Sequence, residues 1–258
     1  MLLVMDVGNS HTKLGLYDGE SLIAHWRLAT TSARTTDELR IMLTSLLSQD
    51  DISPRSITGC CIASVVPPVN PMIEAMCNVM FGVAPLFVVP GVRTRITIKV
   101  ENPKEVGADR IVNSVAASEA FGGPVVVVDL GTATKFEVIS EHAEYLGGVI
   151  APGVQISADA LFDRCAKLAR VEIITPDHVI GKDTVSHIRA GLTYGNAGMV
   201  DGLVARIAHE MRATPTVVAT GGFAPLIGPL CSRINHVDPL LTLKGLRAVF
   251  SKNEKSLV

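Results

Sequence analysis

Apolar positions along this chain fall into short runs separated by polar, glycine-bearing turns. Leu2 to Met5 is apolar, Asp6 to Ser10 is a polar turn, and Lys13-Leu-Gly-Leu-Tyr17 runs to a second turn at Asp18-Gly19. This predicts a strand, a turn and a second strand, with a third strand around Trp26 to Leu28. Thr36-Asp-Glu-Leu39 has the signature of a helix start, and Leu39, Leu43, Leu46 and Leu47 recur at helical spacing. Ile62 to Val66 reads as a buried strand stopped by Pro67-Pro68, so the opening order is β-β-β-α-β.

The same theme returns further along. Pro124-Val-Val-Val-Val-Asp129 is an apolar strand ending in Asp, followed by Leu130-Gly-Thr-Ala-Thr134 and a strand-like Phe136 to Ile139. Two similar halves of an α/β protein are implied, meeting within the helical stretch Ile111 to Ala120, before Gly122-Gly123, with lobes at residues 1–117 and 118–258. A helix over Val185 to Glu210 and a strand over Thr216 to Ala219 complete the second lobe, and the tail after Phe250, through Lys255, is expected to fray.

Composition narrows the classes of function. Hydrophobic residues make up 48% and charged residues 19% of 258, which fits a globular protein with a real core. The net charge of −2 and the lack of any Lys/Arg run argue against nucleic acid as the main partner. No apolar run approaches the roughly 20 residues needed to cross a bilayer. The residues before Asp6 carry no basic lead into a signal-like apolar region, so a cytoplasmic protein is expected. Five cysteines without a CxxC pair suit reduced, mostly buried thiols. His11 reads as a hydrogen-bonding loop residue and Trp26 as a packing residue.

A strand that delivers Asp to its carboxyl end and turns at once through Gly brings a carboxylate and backbone N–H groups to one point, a geometry suited to a metal-bound phosphate. A single Asp-x-Gly often only closes a hairpin. Here there are two, Asp6-Val-Gly8 and Asp129-Leu-Gly131, with a third Gly-rich strand end at Ala219-Thr-Gly-Gly222. Asn102-Pro-Lys-Glu-Val-Gly-Ala-Asp-Arg110 adds a carboxylate beside a fixed cation at a helix start. Arg can clamp a substrate carboxylate at two points, and Asp can take a proton from an attacking hydroxyl. By spacing alone the pair reads equally well as a helix terminus with a surface ion pair.

The three Gly-bearing strand ends resemble the phosphate and adenosine motifs of the superfamily of sugar kinases, acetate kinase, actin and heat-shock chaperones. That resemblance implies two ribonuclease-H-like lobes with mixed five-stranded sheets and a nucleotide cleft between them. In order along the chain, Asp6-Val-Gly-Asn-Ser10, Glu105-Val-Gly-Ala-Asp-Arg-Ile-Val112, Asp129-Leu-Gly-Thr-Ala-Thr134, Gly147-Gly-Val-Ile-Ala-Pro-Gly153 and Thr220-Gly-Gly222 resemble type III pantothenate kinases, and the similarity covers nearly the whole chain.

The resemblance implies ATP-dependent phosphorylation of pantothenate, the first step of coenzyme A biosynthesis. It implies Asp6, Val7, Gly8, Asn9, Ser10, Thr12 and Lys13 at the ATP phosphates, with Asp6 holding Mg²⁺ through water. It implies Asp109 as general base and Gly107, Ala108, Arg110 and Val100 at pantothenate. Asp129 is implied to bind a monovalent cation, K⁺ or NH₄⁺. Gly131, Thr132 and Thr134 would line the second phosphate loop, and Gly221 and Gly222 would flank adenosine. Thr184 would reach pantothenate across a homodimer. Two positions depart from the pattern: Val100 stands where many relatives carry an aromatic, and Lys135 stands where Thr is frequent. A nucleotide-binding regulatory homologue without catalysis, and a kinase of another small hydroxy-acid, are the competing readings; retention of Asp6, Asp109, Arg110 and Asp129 together argues against the first.

Overall fold

The computed structural model describes residues 1–165 and 167–254. In chain order the first elements are β1 (Leu2–Val7), β2 (His11–Asp18), β3 (Ser21–Ala29), α1 (Thr36–Gln49), β4 (Gly59–Ser64), α2 (Asn70–Phe81), β5 (Leu86–Phe87), β6 (Thr97–Ile98) and α3 (Ala108–Phe121). They are followed by β7 (Val125–Leu130), β8 (Ala133–Ile139), β9 (Glu144–Pro152), α4 (Val154–Arg164), α5 (Thr184–Met211), β10 (Thr216–Thr220), α6 (Ala224–Ile227), β11 (His236–Val237) and α7 (Leu241–Asn253).

Two compact units result. The first comprises Met1–Arg95, Glu101–Ala116 and Thr242–Val258, and the second Ile96–Val100 and Ala117–Leu241. The first unit holds a five-stranded sheet in the order β3-β2-β1-β4-β5, in which β1 runs antiparallel to β2 and parallel to β4. The second holds β11-β10-β7-β8-β9-β6, in which β7 runs antiparallel to β8 and parallel to β10. Reading β9-β8-β7-β10-β11 against β3-β2-β1-β4-β5 gives the same topology twice, which is the duplication predicted. The second sheet has six strands rather than five, because Thr97–Ile98 adds a parallel edge beside Glu144–Tyr145.

Local sequence explains the elements. Thr35 caps α1 in a capping box: its hydroxyl accepts from the Glu38 amide while Glu38 receives the Thr35 amide, placing Leu39, Leu43 and Leu47 on the inward face. β4 and β7 lie inside mixed sheets and are buried nearly throughout, so they read as continuous apolar runs rather than alternations. β1 and β2 alternate: Leu3, Met5, Leu14 and Leu16 enter a core with Leu43, Leu47 and Ile73, whereas Asp6 and Lys13 take the opposite face. In the second unit Val126, Val128 and Leu130 join Phe136, Val200 and Val204 in a separate core.

The chain end differs from expectation. Ser251–Asn253 complete α7, and Asn253 is buried, accepting from the Arg93 amide at 3.1 Å and donating to its carbonyl at 2.9 Å. Phe250 packs on Gly59, and Gly245 lies against the Val112 carbonyl, both at a distance a β-carbon would violate. Burial of this helix holds Ser251–Asn253 in place; Lys255 lies outside the described residues. Trp26 packs at the margin of the first core and its indole N–H donates to Asp50 at 3.0 Å, a packing role as predicted.

Candidate functional site

In the first unit, β1 delivers Asp6 to its carboxyl end, directly opposite Lys13 on β2. The turn between them is closed by the Gly8 amide, which donates to the His11 carbonyl at 3.1 Å. Asn9 and Ser10 are exposed at its tip, and Lys13 Nζ stands 3.9 Å from Asp6 Oδ2. Val7 and Thr12 are placed differently. Both side chains turn into the core face, where the Thr12 hydroxyl lies 2.9 Å from that of Thr30. Only their backbones border the turn.

Helix α3 begins at the same end of this sheet. The Val65 amide donates to the Val7 carbonyl at 3.0 Å, and Gly107, at the foot of α3, packs on Val65: a β-carbon at 107 would lie 3.6 Å from its methyl group. Asp6 through Ser10 and Gly107 through Arg110 are thus gathered at the carboxyl edge of β1 and β4, the edge at which open α/β sheets bind ligands. Asp109 folds back over Gly107, its Oδ1 only 2.6 Å from where a β-carbon would sit. Gly107 is needed for that approach, with the favourable dipole of a helix start acting on the carboxylate. Ala108 is buried and contributes packing, whereas Asp109 and Arg110 are half-buried.

Gly107→Ala should therefore displace the Asp109 carboxylate at little cost to the fold, since a side-chain tip can swing aside. The expected result is a fall in kcat of about tenfold or more with an unchanged melting temperature. Wild-type kcat would show that the close approach is irrelevant.

The second unit repeats the arrangement. Asp129 ends β7 opposite Lys135 on β8, and the Gly131 amide donates to the Ala133 carbonyl at 3.1 Å. Here the ion pair is closed, with Lys135 Nζ 2.9 Å from Asp129 Oδ2. Gly221, with φ of +97°, brings the end of β10 against Leu130, and a β-carbon there would sit 2.6 Å from Asp129 Oδ1. The Phe223 amide donates to the Leu130 carbonyl at 3.0 Å, stitching this loop to β7. Thr132 and Gly222 are exposed, while Thr134 is fully buried on the core face.

Val100 lies beside Gly147 of β9, and Thr184 opens α5, exposed, beside a cap in which the Asp183 carboxylate accepts from the Ser186 amide at 2.9 Å. That hydrogen bond holds the Asp183 carboxyl below its ordinary pKa.

Three residues at this end were not singled out for these roles from sequence. Gly153 abuts the carbonyls of Thr132 and Gly131, so the second turn rests on it. Thr220, register partner of Asp129, is fully buried with a hydroxyl that meets no hydrogen-bonding partner. Lys135 closes onto Asp129, a pairing visible only once strand register is known. Three buried cysteines are held as thiols at neutral pH: burial pushes Cys61 and Cys231 up to about 12, and a hydrogen bond with Cys77 raises Cys60.

As a metal site the first turn suits Mg²⁺ held through water, since one hard carboxylate beside phosphate is enough for an ion that keeps its hydration shell. The second turn does not suit a free monovalent cation in the same way, because an ammonium already lies on Asp129. No cluster of three or more His, Cys, Asp or Glu side chains able to hold a metal occurs among the described residues.

A duplicated mixed sheet with an Asp-x-Gly turn at the carboxyl end of each inner strand is the fold of actin-like ATPases and sugar kinases. It is shared with the activator of the 2-hydroxyisocaproyl-CoA dehydratase from Clostridium difficile with bound ADPNP, at 13% identity and TM-score 0.59 over 99% of this chain and 95% of that one. The ROK hexokinase from Thermus thermophilus gives 12% identity and TM-score 0.53 over 97% of each chain. Within this fold the sequence is more specific.

The chain belongs to the type III pantothenate kinase family, whose sequence model matches residues 2–206. It is 49% identical over 253 residues to a type III pantothenate kinase from Geobacillus thermodenitrificans, covering 98% of both chains. It is also 49% identical to one from Moorella thermoacetica, covering 98% of this chain and 100% of that one.

Proposed function

We infer that this protein is an ATP-dependent kinase that phosphorylates pantothenate to 4′-phosphopantothenate, the first step of coenzyme A biosynthesis. The observation that carries the mechanism is the gathering of the Asp6 turn and Asp109-Arg110 at one sheet edge of the first unit, through Val7, Val65 and Gly107. The primary hydroxyl of pantothenate attacks the γ-phosphorus of ATP. Its proton passes to the Asp109 carboxylate, a bond forms from the hydroxyl oxygen to phosphorus, and the bond to the β,γ-bridging oxygen breaks to release ADP. Amides of the Gly8 turn and the Lys13 ammonium offset charge on the phosphoryl oxygens, so most of the rate comes from positioning and electrostatics. Asp6 is the residue that would hold Mg²⁺, which when bound neutralises phosphate charge.

Arg110 is proposed to clamp the pantothenate carboxylate. Lys cannot reproduce two parallel hydrogen bonds, so Arg110→Lys should raise the KM for pantothenate by about tenfold or more while leaving that for ATP nearly unchanged. Equal effects on both substrates would remove this role. Thr132, Gly221 and Gly222 are assigned to the nucleotide and Val100 to the pantothenate pocket wall. Thr184 is assigned to pantothenate bound by a second copy of the chain. Exposed Val179 and Ile180, at 63% and 79%, and Val185 nearby support such a homodimer, since they leave apolar surface at the start of α5. No described helix is long and apolar enough to cross a membrane, and the described cysteines are free thiols, which supports a cytoplasmic location.

The deciding experiment is direct chromatographic detection of ADP and phosphorylated product from ATP and pantothenate, with other small hydroxy-acids as alternative acceptors. Turnover with pantothenate is expected; ATP binding without turnover would instead support a regulatory homologue.

A further inference from the structure

The family resemblance assigns Asp129 to a free monovalent cation, yet the Lys135 ammonium lies 2.9 Å from its Oδ2, with only 17% of the Lys135 side chain and 14% of the Asp129 side chain exposed. We propose that Lys135 is a tethered replacement for that cation, so that this enzyme transfers phosphate without a requirement for K⁺ or NH₄⁺. The proposal rests on the kinase reading above and adds to it a built-in cation.

Two features of the second unit carry it. Strand register puts Asp129 and Lys135 directly opposite one another on β7 and β8, so the pairing follows from the backbone rather than from a chance rotamer on a loop. The other carboxylate oxygen, Oδ1, faces Gly221 and Gly131, 2.6 and 3.2 Å from where their β-carbons would be. Oδ2 is therefore the direction left for a cation, and the ammonium lies on it. A partly buried carboxylate with one ammonium is already compensated, and a further cation would meet repulsion in a poorly solvated place.

The chemistry is conservative. A lysine head is a compact point charge with hydrogen-bond donors, close in kind to NH₄⁺, and it needs no binding equilibrium to be present. The first unit supplies the contrast: Lys13 occupies the same register opposite Asp6 but stands 3.9 Å away and is more exposed, at 26%. There the ammonium does not close onto the carboxylate as it does at Asp129.

Two measurements test the proposal on the full chain. ADP and phosphorylated pantothenate are quantified directly in tetramethylammonium buffer, with and without added KCl, so that no coupling enzyme's own cation requirement enters. Wild-type kcat is expected to change by less than about twofold, whereas Lys135→Thr should fall by about 10²-fold without K⁺ and recover substantially with K⁺ or NH₄⁺. Independently of activity, K⁺ should raise the melting temperature of Lys135→Thr, using the freed Asp129 carboxylate and the Thr220 hydroxyl, but not that of the wild type, with choline chloride as the ionic-strength control. A wild-type kcat that rises about tenfold with K⁺, a K⁺-specific shift in wild-type melting, or a Lys135→Thr protein indifferent to K⁺ in both readouts overturns it. If neither protein phosphorylates pantothenate in any salt, the kinase reading fails, and the melting comparison still decides whether Lys135 replaces the cation. Should Lys135→Thr not fold, the wild-type measurements alone retain the power to refute.

Discussion

Asp109→Asn is expected to lower kcat by about 10²–10⁴-fold, the usual contribution of a general base, while ATP binding stays near the wild-type value. Such a loss corresponds to about 3–5 kcal/mol of transition-state stabilisation. The two effects separate because Asp109 sits in the first turn of α3, whereas the turn assigned to the phosphates lies between β1 and β2. Asn has nearly the same shape but cannot take the proton of the attacking hydroxyl. It also gives up the attraction between a carboxylate and a helix N-terminus, about 0.3–1 kcal/mol, too little to unfold the protein. Steady-state kinetics together with calorimetric titration of ATP check both halves. Unchanged turnover would remove Asp109 from the mechanism, and a parallel loss of ATP binding would move it to the nucleotide site.

Gly221→Ala is expected to destabilise the protein by about 2–5 kcal/mol and to abolish most activity. One part is backbone strain at φ of +97°, about 1–3 kcal/mol for a residue with a β-carbon. The other is overlap: the new methyl would sit 2.5 Å from the Leu130 carbonyl carbon and 2.6 Å from Asp129 Oδ1, and backbone cannot swing aside as a side-chain tip can. Relief requires separating β10 from β7 at the point where Asp129 and Lys135 are held. Gly222→Ala is the internal control, because Gly222 is exposed and has nothing within 4 Å of a β-carbon. Urea unfolding of both variants should show a large shift for position 221 and little for 222. Similar midpoints would mean that the close approach at Gly221 relaxes without consequence.

Much of the architecture could be read from local pattern. The Asp-x-Gly turns, the all-valine strand before Asp129 and the capped helix at Thr36 are each specified by a few adjacent residues, and the structure places them as expected. Edges were harder. β3 extends from Ser21 to Ala29, although only Trp26 to Leu28 reads as strand, because its other positions, with Ser21, Ile23 and His25 exposed and Leu22 and Ala24 half-buried, lie on a sheet edge. α2, α4, β9 and α7 were not predicted as elements; Pro71 near the start of α2 and the glycines and proline of Gly147 to Gly153 disguise regular structure that tertiary packing supports. For the candidate site, residue types and order were legible, but side-chain direction was not. Thr12 looks like a phosphate ligand in a linear motif and is turned into the core by strand alternation.

The duplicated strand-Asp-Gly pattern, the Asp109-Arg110 pair and the family are legible along the chain, because they reside in residue identities and spacings within a few contiguous stretches. Tertiary structure alone decided that the last helix belongs with the first unit, that Asp109 lies over Gly107, and that Lys135 lies on Asp129. The physical reason is that each of these depends on register and close approach between segments brought together by folding, and no local propensity encodes the distance between two side chains on different strands.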